Sequence, residues 1–438
     1  MSGPSQFALL KQRRFMPFFI TQALGAFNDN VFKNGLAAML VFHSSQLAGL
    51  NTNQVVNLSA MAFILPFFLF SALFGQFADK YEKSVQIRRI KLFEIFIMLS
   101  ATLGFWLDSI PLLLGVLFLL GFQSTMFGPI KYGIIPQVLE RRELIGGNAL
   151  VEMGTFVAIL AGTIAGPLLM GIEADWPVWV SGAVLLIAVA GYLASRDIPE
   201  TPAVDPELKI NWNFFTETIR NIRFIRENHI VLTSVLGISW FWFFGATFLV
   251  QIPSFSETVL GGDERLMSTL LAMFIIGISA GSLLCEKLSG RQVEIGLVPL
   301  GAAGLTLFGI DMYFASPDEP AVFSSLGMFF STGANWRIVM DLLMIGIFSG
   351  FYIVPLYAMV QQRSKPSHRS RVIAGNNILN ALFMVISAIF AMVLLGSAGF
   401  TIPELFLVTA VLNFVVATYI FVTVPEFMKR FLIWVRRA

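Results

Sequence analysis

Charge is scarce in this chain. Asp, Glu, Lys and Arg together make up 13% of its 438 residues, about half the share of a soluble domain. Cysteine is nearly missing as well. Cys285 is the only one, so no disulfide can close within the chain, and it reads as a small packing residue on a membrane helix. The histidines, His43, His229 and His368, fall at the ends of apolar runs or between them, and none sits in a ligand cluster. No glycine-rich phosphate loop, metal-ligand spacing or nucleophile beside a base is present. No enzyme, cofactor, metal centre or nucleic-acid partner is therefore expected.

What fills the chain is apolar. Hydrophobic residues make up 56% and aromatics 13%, led by 44 Phe. No soluble core of this length needs so much apolar surface, so the expected class is all-α, a polytopic membrane protein. Scanning for runs of about 20 apolar residues gives twelve spans: 15–42, 53–78, 88–107, 110–134, 144–172, 176–195, 230–258, 266–288, 295–315, 336–361, 371–396 and 403–424. The ninth runs into the loop Ser316-Pro317-Asp318-Glu319-Pro320. Lys11, Arg13 and Arg14 lead straight into the first span with no small-residue cleavage pattern, so that span is expected to be retained.

The cations test the count. If the spans alternate, 26 of the 29 Lys and Arg, including Lys80, Lys83, Arg88, Arg89, Lys91, Arg291 and Arg437, fall on one side. Only Arg265 and Arg337 fall on the other, and Lys33 lies inside a span. The side rich in cations is expected to be cytoplasmic, with both termini on it. The longest connection on that side divides the spans six and six. The expected organisation is an N-terminal six-helix bundle over 1–195, a cytoplasmic linker over 196–229, a C-terminal six-helix bundle over 230–424, and a basic interfacial tail over 425–438. In the linker, Trp212, Phe215, Ile219, Ile222 and Ile225 share one helical face, with Arg220, Arg223 and Arg226 off it. Such a helix either lies along the membrane surface or packs as a plain linker on the bundle base. Two six-span halves with a weak internal repeat, Gly75 to Lys80 against Gly281 to Lys287, form a transporter architecture with a site between the halves.

The polar residues stranded in the spans are the candidate site. Asp29 and Lys33 are spaced i, i+4 and share a helix face, with Asn30 beside them. Asp29 lies roughly 22 Å along the helix from Arg14. An ionisable group in hydrocarbon costs about 3 kcal/mol or more, so it normally faces protein or a water-filled cavity. These three residues either meet a headgroup or a coupling cation, or form a self-neutralised pair between helices. Glu152 lies mid-depth in the fifth span, as a second acid or as a helix–helix hydrogen bond. Lys131 either takes a phosphate as a point charge or snorkels to the interface. Asn376, Asn377 and Asn380 place amides within about one turn of span eleven; Asn377 and Asn380 share a face and could bind phosphate or glue helices. Asp79 with Lys80 and Lys83 reads as a conformational charge network rather than a binding site. Arg337 and Asp341, another i, i+4 pair, read as a surface ion pair or as half of an outer gate.

Several segments resemble the major facilitator superfamily. Gly75-Gln76-Phe77-Ala78-Asp79-Lys80-Tyr81-Glu82-Lys83 is similar to its loop signature, and Gly162 to Pro167 to its glycine-proline segment. The match is closer to the bacterial lysophospholipid transporters within it, through Gln22 to Asn30, Gly128 to Ile134, Asn148 to Glu152 with Ala158 to Gly162, and Gly350 to Leu356 with Gln361 and Arg363. One departure is span seven, Ser239 to Leu249, which has no cation where some relatives carry an arginine.

The resemblance implies the major facilitator fold. It also implies a flippase that moves lysophospholipids, such as lysophosphatidylethanolamine or lysophosphatidylglycerol, from the outer to the inner leaflet of the bacterial inner membrane by alternating access. The expected partners are the lysophospholipid substrate, membrane lipids and a cytoplasmic acyltransferase, and a monomer is expected. The alternative is a proton-coupled exporter of amphipathic drugs or metabolites, with Asp29 and Glu152 as protonation sites. A third possibility, a non-transporting anchor for an acyltransferase, would suit a chain without buried charges, and this one has several.

Overall fold

The computed structural model describes residues 5–42, 52–171, 175–290, 292–317, 319–320 and 326–436. His43, Arg291, Asp318 and Arg437 lie outside the described residues. Every regular element among the described residues is helical. In order they are α1 (Met16–Phe42), α2 (Thr52–Lys80), α3 (Lys83–Trp106), α4 (Ile110–Val138), α5 (Leu144–Met170), α6 (Trp176–Arg196), α7 (Phe214–Arg226), α8 (His229–Ser254), α9 (Glu264–Leu288), α10 (Leu297–Ala315), α11 (Leu326–Phe330), α12 (Gly333–Arg363), α13 (Arg369–Met392), α14 (Ile402–Thr423) and α15 (Glu426–Val435). Each of the twelve expected spans is one long helix. Ten of them are long and apolar enough, by length and composition, to cross a membrane. The other two are α1 and α3, which carry the most concentrated polar residues: Asp29 and Lys33 among three asparagines, and Lys83, Arg88, Arg89, Lys91 and Glu94.

The chain forms two compact units. The first comprises Met1–Glu140, Gly154–Glu227 and Ser364–Ile378; the second comprises Arg141–Met153, Asn228–Arg363 and Leu379–Ala438. In the first unit α1 packs on α6, α2 on α4, and α3 between α4 and α6. Val31, Phe32, Leu36, Met98, Phe105 and Leu113 form its core. α5 approaches α1 through Gly162 and Gly166. A Cβ on Gly162 would fall 2.6 Å from the Phe27 carbonyl oxygen and 2.7 Å from Asn30 Cβ. Small residues let membrane helices touch at the backbone, and here they fix the stretch of α1 that carries Asp29. In the second unit α12 is the centre, flanked by α8, α9 and α10. Every residue from Ser349 to Gln361 is buried, as expected of a helix that is apolar all round.

The linker is tied to the end of α2. Backbone N–H groups of Val204 and Asp205 donate to the Asp79 carbonyl at 3.0 and 2.9 Å, and Gln76 exchanges two hydrogen bonds with the Asn211 backbone. α7 then turns its polar side inward. Glu217, Asn221 and Ile225 are its buried positions, whereas Trp212, Phe215 and Ile219 are 72%, 68% and 61% exposed. Ile225 therefore leaves the apolar stripe that spacing assigned it to. An amphipathic helix that shows its apolar face outward has the orientation of one lying in a membrane interface. α15 packs differently: Phe427 is buried, and the Trp434 indole N–H donates to the Leu288 carbonyl at 2.7 Å.

A nitroxide attached at Phe215→Cys tests the outward face of α7, since the native thiol of Cys285 is fully buried. In proteoliposomes the label should be relaxed by oxygen and not by a water-soluble nickel complex. Equal access to both would place that face in water.

Candidate functional site

The polar stretch of α1 is held partly by its own backbone. The Asn30 amide donates to the Ala26 carbonyl at 2.8 Å, and the Asn34 amide to the Asn30 carbonyl at 2.8 Å. Such back-bonding lets an amide sit in an apolar helix with its donor met. The two charged residues are placed otherwise. Asp29 and Lys33 are both half-buried. The Ser124 hydroxyl of α4 donates to Asp29 Oδ2 at 2.8 Å. Asp29 Oδ1 is buried and has no hydrogen-bond partner among the described residues. The Lys33 ammonium lies 4.6 Å from the centre of the Phe63 ring on α2. The described contact of each residue thus points to a different neighbouring helix.

Beneath Asp29 lies a pair that spacing did not assign to the site. Lys91 counts by sequence as a flanking cation at the start of the third span. In the structure α3 begins at Lys83, so Lys91 sits roughly 12 Å inside it. Its ammonium is 2.6 Å from Glu94 Oε2, and both side chains are 1% exposed. Asn28 donates to Glu94 Oε1 at 2.9 Å and Gln123 to Glu94 Oε2 at 3.0 Å. The Lys91-x-x-Glu94 spacing, which puts opposite charges on one helix face, was the available signal.

The remaining candidates divide between the units. In the first, half-buried Lys131 donates to the Thr155 hydroxyl at 2.8 Å, and Thr155 donates to Gln22 at 2.9 Å. Asn377 is half-buried against α4, where a Cβ on Gly128 would meet its amide nitrogen at 2.6 Å. In the second, Asn380 is buried and accepts from the Ser239 hydroxyl at 2.9 Å. Glu152 is 1% exposed. One turn before it, Asn148 and Gln361 exchange two amide hydrogen bonds at 2.7 and 2.9 Å. The segments Asn148 to Glu152 and Gly350 to Arg363 thus meet in one unit.

Asp79 is the centre of a second polar cluster in the first unit. Its carboxylate accepts from the Ser370 N–H at 3.1 Å, the Arg371 N–H at 3.4 Å and Arg371 Nε at 3.1 Å. Buried Lys83 reaches it as a charge, while Lys80 turns away and donates to the Leu208 carbonyl at 2.7 Å. The Arg371 guanidinium also lies over the Phe224 ring of α7, which stacks on His368. Nearby, Lys365 donates to Glu227 at 2.7 Å. That hydrogen bond holds the Glu227 carboxyl below its usual range, with His368 and Lys365 adding a charge effect. These contacts join the start of α13 to the end of α2 and to α7.

Arg337 and Asp341 do not pair as their spacing implies. Arg337 instead makes a two-pronged ion pair with Asp311 of α10, with Nε 2.9 Å from Oδ2. Asp341 is 2% exposed, and its Oδ2 is buried with no hydrogen-bond partner among the described residues. A helical spacing places two residues on one face and is silent about an acid 26 positions away.

Residues 18–344 match the family model described as Major Facilitator Superfamily. The lysophospholipid transporter LplT of Cronobacter sakazakii is 29% identical over 374 residues, covering 84% of each chain. LplT of Escherichia coli O157:H7 is 28% identical over 364 residues, covering 82% of each. Among solved structures, the human organic anion transporter MFSD10 aligns with a TM-score of 0.71 at 13% identity, over 95% of this chain and 100% of that one. The Escherichia coli fucose:proton symporter FucP aligns with a TM-score of 0.69 at 12% identity, over 94% and 99%.

If Asp79 holds the α13 start in place, Asp79→Asn should free it. Losing charge-assisted hydrogen bonds worth about 1.5–3 kcal/mol should speed thiol labelling of a buried Val372→Cys probe by about tenfold or more. Unchanged labelling would show that the α13 start is held by packing alone.

Proposed function

Because the chain belongs to the major facilitator superfamily, a multi-pass membrane transporter fold, we propose that it is a lysophospholipid transporter. It takes lysophosphatidylethanolamine or lysophosphatidylglycerol from the outer to the inner leaflet of a bacterial inner membrane. The names of its bacterial relatives support the substrate class. The observation that carries the reading is on α1: an acid with one unmet oxygen and a lysine over an aromatic ring, one turn apart and neither residue fully buried. The zwitterionic headgroup of lysophosphatidylethanolamine has the complementary pair of charges; that of lysophosphatidylglycerol has the phosphate for Lys33 and hydroxyls in place of the ammonium. Asp29 receives the ammonium, with Asn30 beside it. Lys33 receives the phosphate, since a phenyl ring offers its N–H groups no anionic oxygen. Lys131 and Asn377 of the first unit, and Glu152 and Asn380 of the second, are further polar groups for the headgroup, and the single acyl chain travels against apolar side chains.

Transport follows alternating access, in which one element set rocks against another about a midplane site. Asp79, Lys80 and Lys83 hold the cytoplasmic side, where both termini lie, and release of the Asp79–Arg371 contact opens it. Arg337, Asp341 and the Asp311 partner hold the opposite end. The delivered lysolipid is a substrate for a cytoplasmic acyltransferase. A second reading, proton-coupled export of amphipathic molecules, draws on the burial of Glu152 within α5.

Uptake of labelled lysophosphatidylethanolamine into proteoliposomes tests this. Asp29→Asn and Glu152→Gln should each reduce uptake by about tenfold or more, a loss of about 1.4 kcal/mol or greater, with expression intact. Full uptake by both variants removes the site assignment. Lysolipid uptake that collapses with a protonophore favours the coupled mechanism; transport of a cationic dye in place of the lysolipid favours the exporter.

A further inference from the structure

Glu94 is an unusual carboxylate for a membrane helix, because every donor around it comes from a different place in the first unit. Lys91 of its own helix supplies the countercharge at 2.6 Å. Asn28 of α1 and Gln123 of α4 supply amide donors at 2.9 and 3.0 Å. Each of those two residues is adjacent in sequence to a member of the Asp29–Ser124 hydrogen bond, which joins the same two helices. The amide of Gln123 has a direction. With its nitrogen on Glu94, its oxygen faces Ser124 Oγ at 3.4 Å. A serine hydroxyl has one hydrogen, and in the structure it has a 2.8 Å acceptor in Asp29. Glu94 is thus hydrogen-bonded to the same two helices, α1 and α4, that the Asp29–Ser124 hydrogen bond joins.

Room for this arrangement is built into the neighbouring backbones. Lys91 runs through a slot between Gly25 of α1 and Gly191 of α6. A Cβ on Gly25 would collide with its ammonium, and one on Gly191 would lie 3.7 Å from its Cδ. Its Nζ also lies 5.5 Å from the centre of the Phe127 ring. Lys91 and Glu94 are close enough to act electrostatically on Asp29. Replacing a buried ion pair by apolar residues of like size is often neutral for stability, so the pair is poorly explained as a stabiliser.

We propose that Lys91 and Glu94 are positioning residues for Asp29: through Asn28, Gln123 and Ser124 they hold its carboxylate presented to the cationic part of the headgroup. This rests on the reading of Asp29 as a headgroup-binding group. The pair itself is sealed from the substrate, and its effect on binding passes through Asp29.

A double-mutant cycle tests it, because residues acting through one another are non-additive. The readout is the Kd of purified full-length protein for labelled lysophosphatidylethanolamine. Asp29→Asn should weaken binding about tenfold, and the charge-neutral pair Lys91→Met with Glu94→Gln about fivefold. All three changes together should bind no more weakly than Asp29→Asn alone. Wild-type Kd in the folded pair variant overturns the proposal, and so does a loss that multiplies with that of Asp29→Asn. If Asp29→Asn itself binds as wild type, the headgroup reading fails first and the positioning role falls with it. Should the pair variant not fold, Gln123→Met cuts the same connection without removing a charge. It should weaken binding about threefold alone and be silent beside Asp29→Asn; an unchanged Kd overturns the proposal.

Discussion

A charge placed at bilayer depth must be met from within the protein, because hydrocarbon offers nothing to meet it. The first unit follows from that constraint. α1 and α3 are the two helices that fall short of the apolarity of the other ten spans, and they are the two whose polar side chains are bound to one another. Asn28 of α1 donates to Glu94 of α3, and the Lys91 that neutralises Glu94 lies in a slot opened by a glycine of α1. The glycines of α5 bring it against the same stretch of α1. Apolar helices can pack in many registers; helices that must satisfy a buried carboxylate have far fewer.

The same constraint separates two kinds of polar group. Lys91, Glu94 and Asn28 are enclosed. Asp29 and Lys33, one turn apart, are only half-buried, and the buried oxygen of Asp29 has no described hydrogen-bond partner. A buried carboxylate such as that of Glu94, met by three donors from three helices, gives a rigid frame. A charge that is not fully buried on that frame is a group that can exchange partners, as the proposed headgroup site requires.

A second theme is the joining of distant sequence segments at helix ends. Asp79 binds the start of α13 across 291 positions, and Asn148 binds Gln361 across 213. The first contact is charged and the second is a neutral amide pair. The two differ in how they respond to change: an ion pair is sensitive to a single charge, whereas an amide pair is sensitive to geometry. α7 reaches the charged contact through Phe224, which meets both the His368 ring and the Arg371 guanidinium, while Phe215, Ile219 and the preceding Trp212 face outward. Outward apolar and inward polar is the reverse of a helix docked on a soluble core, and fits a helix shared between protein and membrane interface.

Run length alone was enough to place the twelve long helices, since a span is a matter of how many consecutive residues hydrocarbon will accept. The motif segments at Gly75 to Lys83 and Gln22 to Asn30 likewise marked the family, and the i, i+4 spacing put Asp29 and Lys33 on one face. Partners were a different matter. Arg337 lies one turn from Asp341 and pairs with Asp311; Lys91 sits among flanking cations in sequence and is enclosed with Glu94; Ile225 shares a stripe with Trp212 and is buried while Trp212 is not. Periodicity reports which side of a helix a residue occupies, not what stands opposite. That is decided only when helices far apart in the chain pack together, and the charges settle on whichever neighbour then lies within reach.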